Sequence, residues 1–133
     1  MEASNRFKKE ERLCSKATIE ALYANGKSVA AYPLRAVYLP LEADEKAPAA
    51  SILIAVSKKR FKHATDRNLV KRRLREAYRL NKHTFTEQLQ QQGKRMAIAI
   101  LYLDKQHHSF GHLQAKMVKL LKAITEKESA ELI

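Results

Sequence analysis

Only three glycines occur in 133 residues. None falls in a Walker or Rossmann spacing, so no Gly-rich loop is present to cradle a nucleotide's phosphates. Cysteine occurs once, at Cys14, which excludes an intrachain disulfide and any cysteine-based metal cluster. A single cysteine fits a reducing compartment. Long apolar runs are missing as well: none approaches the roughly 18 residues of a membrane span. The opening MEASNRFKKEERL is charged and lacks the apolar centre of a signal peptide. These absences predict a soluble, cytoplasmic protein. No Ser, His and Asp spacing marks a nucleophile, so no catalytic residue is expected in this chain.

Acidic residues are scarce in one particular stretch. Between Lys58 and Lys82 lie eleven Lys or Arg, opposed only by Asp66 and Glu76, a net +9 of the chain's +12. So local an excess costs self-repulsion that a polyanion would relieve, which points to nucleic acid. The 45% hydrophobic content is that of a globular chain, so the charge does not belong to a disordered tail. The length suits one domain spanning residues 1–133, with a modest core.

Residues 1–12 are polar and read as flexible. Ser15 can cap a helix over Lys16 to Ala24, stopped by Gly26, with Ile19, Leu22 and Tyr23 sharing a face. Pro33 to Leu41 and Ser51 to Val56 read as strands, predicted to form an antiparallel pair. The second is rich in β-branched residues and reads as buried on both faces. A further short strand fits within Gly26 to Tyr32. Ser57 to Ala64 is a charged connection. From Asp66 to Leu80, Val70, Leu74, Ala77 and Tyr78 form one apolar stripe of a helix. Arg67, Lys71 and Arg75 line another face, flanked by Asn68, Arg72 and Arg79. A separate weak helix, Phe85 to Gln91, precedes Gly93. Met96 to Leu103 reads as a central strand. Ser109 can cap a helix over Phe110 to Glu126, and the tail from 127 to 133 has little pattern. The order α-β-β-α-β-α predicts an α+β sandwich, its helices against one small mixed sheet.

His108 and His112 stand i, i+4, as a metal pair would, but only Asp104 lies near to complete a ligand set, and a solvated loop is the expected reading. Arg and Lys match phosphate oxygens and release condensed counterions, so Lys58, Lys59, Arg60, Lys62, Arg67, Asn68, Lys71, Arg72, Arg75 and Arg79 are the candidate RNA contacts. Tyr23 and Tyr38 could stack on unpaired bases; pattern alone favours core packing for both.

The segment AVSKKRFKHATDRNLVKRRLREAYR, Ala55 to Arg79, resembles the signature of the protein subunit of bacterial ribonuclease P. Ser57-Lys58-Lys59 matches the end of that family's strand. Arg67-Asn68-Leu69-Val70-Lys71-Arg72 matches its Arg-Asn-Arg helix start, with Leu69 in place of the second arginine. Phe7 to Leu13 resembles the family's opening. The resemblance implies a catalytic RNA that hydrolyses a phosphodiester with bound Mg2+ and removes the 5′ leader from precursor tRNA. The protein partner, expected to be a monomer, would bind the catalytic RNA through the Arg-Asn helix and the leader in a cleft between the sheet and the first helix. A left-handed βαβ crossover is also implied, an exception to the general rule. Ile19 and Tyr23 fall at the family's leader-facing positions, and Tyr38 is placed in the same cleft, subject to strand register. Arg67, Lys71 and Arg72 are expected to dominate RNA binding without a part in the fold. Two other classes share the basic surface: a ribosomal or ribosome-assembly factor, and a DNA-binding regulator. The strand just upstream of the basic helix argues against the second.

Overall fold

The computed structural model describes residues 11–13, 15–42, 44 and 46–131, with backbone alone at 129–131. The resemblance at Phe7 to Glu10 and the single cysteine lie outside the described residues. The elements run α1 Lys16–Asn25, β1 Lys27–Ala31, β2 Leu34–Leu41, β3 Ala50–Ala55, α2 Ala64–Gln91, β4 Arg95–Tyr102 and α3 Phe110–Glu131. No helix among the described residues is long and apolar enough to cross a membrane.

The sheet order is β1-β2-β4-β3, with β2 antiparallel and β3 parallel to β4. The expected pairing of β2 with β3 is therefore wrong. The run MAIAILY in β4 is buried on both faces and takes the position between them. That turns β3-α2-β4 into a βαβ unit, for which parallel neighbours need a long crossover. Left at the edge, β3 alternates buried and half-buried residues, so it is not covered on both faces as predicted. Leu13 N–H donates to Ile52 O at 2.9 Å, tying the chain's first described turn to that edge.

Two cores flank the sheet. On one face Ala36, Tyr38, Ile52, Ile98 and Ile100 meet Val70, Leu74, Ala77 and Tyr78 of α2 and Leu113, Met117, Leu120 and Ile124 of α3. On the other, Leu13 and Leu22 cover Val37, Ala97 and Ala99. The predicted stripe of α2 does not stop at Leu80: Phe85 and Leu89 continue it, and no Gly or Pro interrupts residues 64–91. The two predicted helices are thus one of 28 residues, ended at Gly93 with φ +65°. α3 also outruns its predicted end. Its Lys127 donates to Ser28 O at 3.1 Å, and buried Glu128 faces Lys27 and Lys94 at 3.7 and 3.5 Å. Those contacts to β1 and to Lys94, just before β4, engage residues that read as a patternless tail.

Candidate nucleic-acid interface

The basic connection is folded by its own backbone. The N–H groups of Arg60 and Phe61 both donate to Ser57 O, at 3.1 and 3.2 Å. Phe61 is buried, so Lys58, Lys59 and Lys62 around it stand exposed and Arg60 half-exposed. Arg67, in the first turn of α2, donates from one guanidinium nitrogen to Phe61 O at 2.9 Å and Lys62 O at 3.0 Å. It therefore clamps the connection onto the helix. The expectation that Arg67 has no part in the fold is corrected: residues 61 and 62 present carbonyls that need a donor.

Beyond that turn, burial of Val70, Leu74 and Tyr78 orients the helix and fixes where its cations point. Asn68, Arg72 and Arg75 are exposed and Lys71 half-exposed. Arg79 donates to Glu76, with Nε to Oε2 at 3.0 Å, and this bond holds the Glu76 carboxyl below its usual range. Lys58, Lys59, Lys62, Lys71, Arg72 and Arg75 have no acidic partner among the described residues. The fields of Lys71, Arg72 and Arg75 add outward along α2, and those of Lys58, Lys59 and Lys62 over the connection that leads into it, the condition for attracting a phosphate backbone.

Two cations of the charged stretch turn inward instead. Lys82 is buried, its Nζ 2.7 and 2.8 Å from the two oxygens of Glu11. Arg73 donates to His108 O at 3.0 Å across the start of α3. Arg73, four residues beyond Leu69, therefore presents no free guanidinium in place of the arginine that Leu69 replaces in the resembling motif.

On the α1 face, Ser15 Oγ accepts from Thr18 N–H at 3.3 Å and starts the helix. Gly26 ends it by close approach, not by a left-handed turn. A Cβ there would lie 2.3 Å from Leu22 O and 2.7 Å from Val37 Cγ1. This tight contact seats α1 on β2. Leu22 is buried beneath it, Ile19 is half-buried, and Tyr23 is 51% exposed. Core packing is thereby excluded for Tyr23. Leu39, Leu41, Leu53 and Leu101 remain only partly covered on this face, leaving an apolar floor beside α1. Tyr38 is elsewhere: it is fully buried, on the α2 and α3 side. Its placement in the cleft is corrected, because strand alternation puts Val37, not Tyr38, under α1. Exposed Arg35, two residues before Val37, shares the α1 face; lying outside the basic stretch, it carried no signal in the sequence.

The histidines form no metal cluster: no group of three or more His, Cys, Asp or Glu gathers among the described residues. His108 Nε2 lies 2.6 Å from Asp104 Oδ2, the main reason that carboxyl sits below its usual range. His107 Nε2 lies 3.1 Å from Asp66 Oδ1. Burial, aided by the Asp104 charge, pushes the Tyr102 phenol up to about 12, so it remains a neutral donor to Gln106 O. Sequence reasoning missed that these residues meet, because Phe61 and His107 belong to distant connections.

The family model for ribonuclease P matches residues 7–125. A ribonuclease P protein component of Porphyromonas gingivalis is 40% identical over 113 residues, covering 85% of this chain and 82% of that one. One of Chlorobium phaeobacteroides is 36% identical over 133 residues, covering 93% and 91%. In structure, the chain is similar to the RNase P protein of Thermotoga maritima, with a TM-score of 0.67 at 24% identity over 85% of this chain and 96% of that one. It is similar to that of Staphylococcus aureus with a TM-score of 0.66 at 21% identity, covering 86% and 94%.

Proposed function

Because the chain belongs to the ribonuclease P protein component family, we propose that it is the RNA-binding subunit of a ribonucleoprotein that removes the 5′ leader from precursor tRNA in the cytoplasm. The observation that carries this reading is the group of cations on the basic connection and α2, Lys58, Lys59, Arg60, Lys62, Lys71, Arg72 and Arg75, with no acidic partner among the described residues. They are the groups that would grip the catalytic RNA. The open sheet face beside α1 would hold the single-stranded leader, with Tyr23 offering a ring to a base and Ile19 apolar contact. In this reading bond cleavage belongs to the RNA and its Mg2+, and the protein, as a monomer, binds and orients.

Reconstitution tests the reading. Adding the chain to the catalytic RNA should lower the Mg2+ concentration needed to cleave precursor tRNA, while rigorously RNA-free protein should cleave nothing. Cleavage by the protein alone, or an unchanged Mg2+ requirement, would count against it. A ribosomal or ribosome-assembly factor would bind RNA without lowering that requirement.

Tyr23→Ala should weaken binding of precursor tRNA by roughly 1–3 kcal/mol, the worth of one base–aromatic stack. Mature tRNA lacks the leader and should bind as before. Since Tyr23 projects from α1, the melting temperature should hold. Equal losses for both tRNAs would remove Tyr23 from the leader site.

A further inference from the structure

A continuous row of five rings crosses the end of the molecule where β4 meets α3. His107 stacks on Phe61 with centroids 4.6 Å apart and planes at 29°. Phe61 lies 5.8 Å from Tyr102, and Tyr102 lies 6.2 Å from His108. His108 stacks on His112 at 4.9 Å and 17°. The middle of the row is buried, with Phe61 7% and Tyr102 3% exposed, whereas His112 is exposed and the His107 side chain is 36% exposed. Tyr32, 60% exposed, projects from the β1–β2 turn. That turn is held at the end of β4 by Leu103 N–H donating to Pro33 O at 2.8 Å.

Core packing accounts for Phe61 and Tyr102. It does not account for rings at both ends that stack on their neighbours yet are open to solvent. Two exposed cations border the row: Lys62 beside Phe61 and Lys105 two residues before His107. The carboxylates of Asp66 and Asp104, which would repel a polyanion, are each engaged by a histidine. The row lies on the flank of α2 that carries Asp66 and Arg73, while Asn68 and Arg75 stand on the opposite flank. It is therefore separate from the cationic flank and from the α1 face.

We infer that this row is a second stacking site, which takes unpaired bases of RNA on separate exposed rings: His107 and His112 at its two ends and Tyr32 on the neighbouring β1–β2 turn. An unpaired base offers its π-face to any ring, and the neighbouring lysines receive its phosphates; a base inside a duplex cannot be reached this way. The inference rests on the RNA-binding reading above.

The test measures affinity for dodecauridylate and for a blunt RNA duplex of equal length, in a Tyr23→Ala background so that the α1 face does not mask the result. His107→Ala and Tyr32→Ala should each lower affinity for dodecauridylate by about tenfold, with duplex affinity unchanged. His107→Phe keeps a ring on Phe61 and gives up Asp66; it should retain the parent affinity. Unchanged dodecauridylate affinity in both Ala variants would overturn the inference. So would equal losses on both probes, or a His107→Phe variant as weak as His107→Ala, either of which would make the row a structural latch. A parent protein that binds neither probe would overturn the RNA-binding reading itself, and this inference with it.

Discussion

Replacing Lys71, Arg72 and Arg75 together by Ala is expected to flatten the salt dependence of binding to the catalytic RNA. Each lost phosphate contact removes roughly 0.7–0.9 from the slope of log affinity against log salt, so the triple variant should be shallower by about 2 to 3. Its affinity deficit should be greatest at low salt, where counterion release contributes most. The fold should survive, because exposed Arg72 and Arg75 and half-exposed Lys71 lie off the stripe of Val70, Leu74 and Tyr78. Substitutions of this kind usually change stability by less than about 0.5 kcal/mol. Filter binding across a salt series checks the slope, and thermal melting checks the fold. An unchanged slope would remove this flank of α2 from the RNA interface. Loss of Arg67 would instead disturb the basic connection as well, because its guanidinium holds Phe61 O and Lys62 O.

Glu11→Ala should be severely destabilising even though Glu11 stands at the start of the described chain. Its carboxylate holds the Lys82 ammonium, and their side chains are only 12% and 6% exposed. Burial, with the Glu11 charge adding, pushes the neighbouring Tyr78 phenol well above the ordinary tyrosine range, which marks how dry this corner is. Glu11→Ala takes from buried Lys82 the carboxylate whose two oxygens lie at 2.7 and 2.8 Å, and losing one side of a buried pair costs about 3–5 kcal/mol. That is a large share of the roughly 5–15 kcal/mol by which domains are stable. Replacing both partners by apolar residues, Glu11→Leu with Lys82→Met, should recover most of the loss, because no charge is then left buried. Denaturant midpoints measure both variants. A Glu11→Ala protein as stable as the parent would show that the pair contributes nothing. Below its melting point, the double variant should keep the parent's salt slope, since Lys82 faces Glu11 and not the RNA.

Lys82 illustrates how far the sequence could be read. It lies four residues beyond Tyr78, so helical periodicity alone places it beside the apolar stripe. Nothing local, however, announces a carboxylate 71 residues away. Arg73 is similar, its acceptor lying 35 residues on. Tyr23 and Tyr38 show the same division. Both read as ambiguous aromatics; α1's seating by Gly26 left one exposed, and β2's register with β1 and β4 buried the other.

By itself the sequence determined the concentration of charge in residues 58–82, the apolar stripe of α2, the cap at Ser15 and the apolar character of β4. Each depends on spacings of a few residues, which set the faces of a helix or strand whatever surrounds it. The family resemblance rested on that same local pattern. Only the tertiary structure decided that β4 lies between β2 and β3, that α2 continues through Phe85 and Leu89, which cations stay open, and that five rings meet at one end. Those outcomes depend on partners far apart in the chain. A strand's alternation says which residues share a face; only its pairing and packing say which face meets which helix.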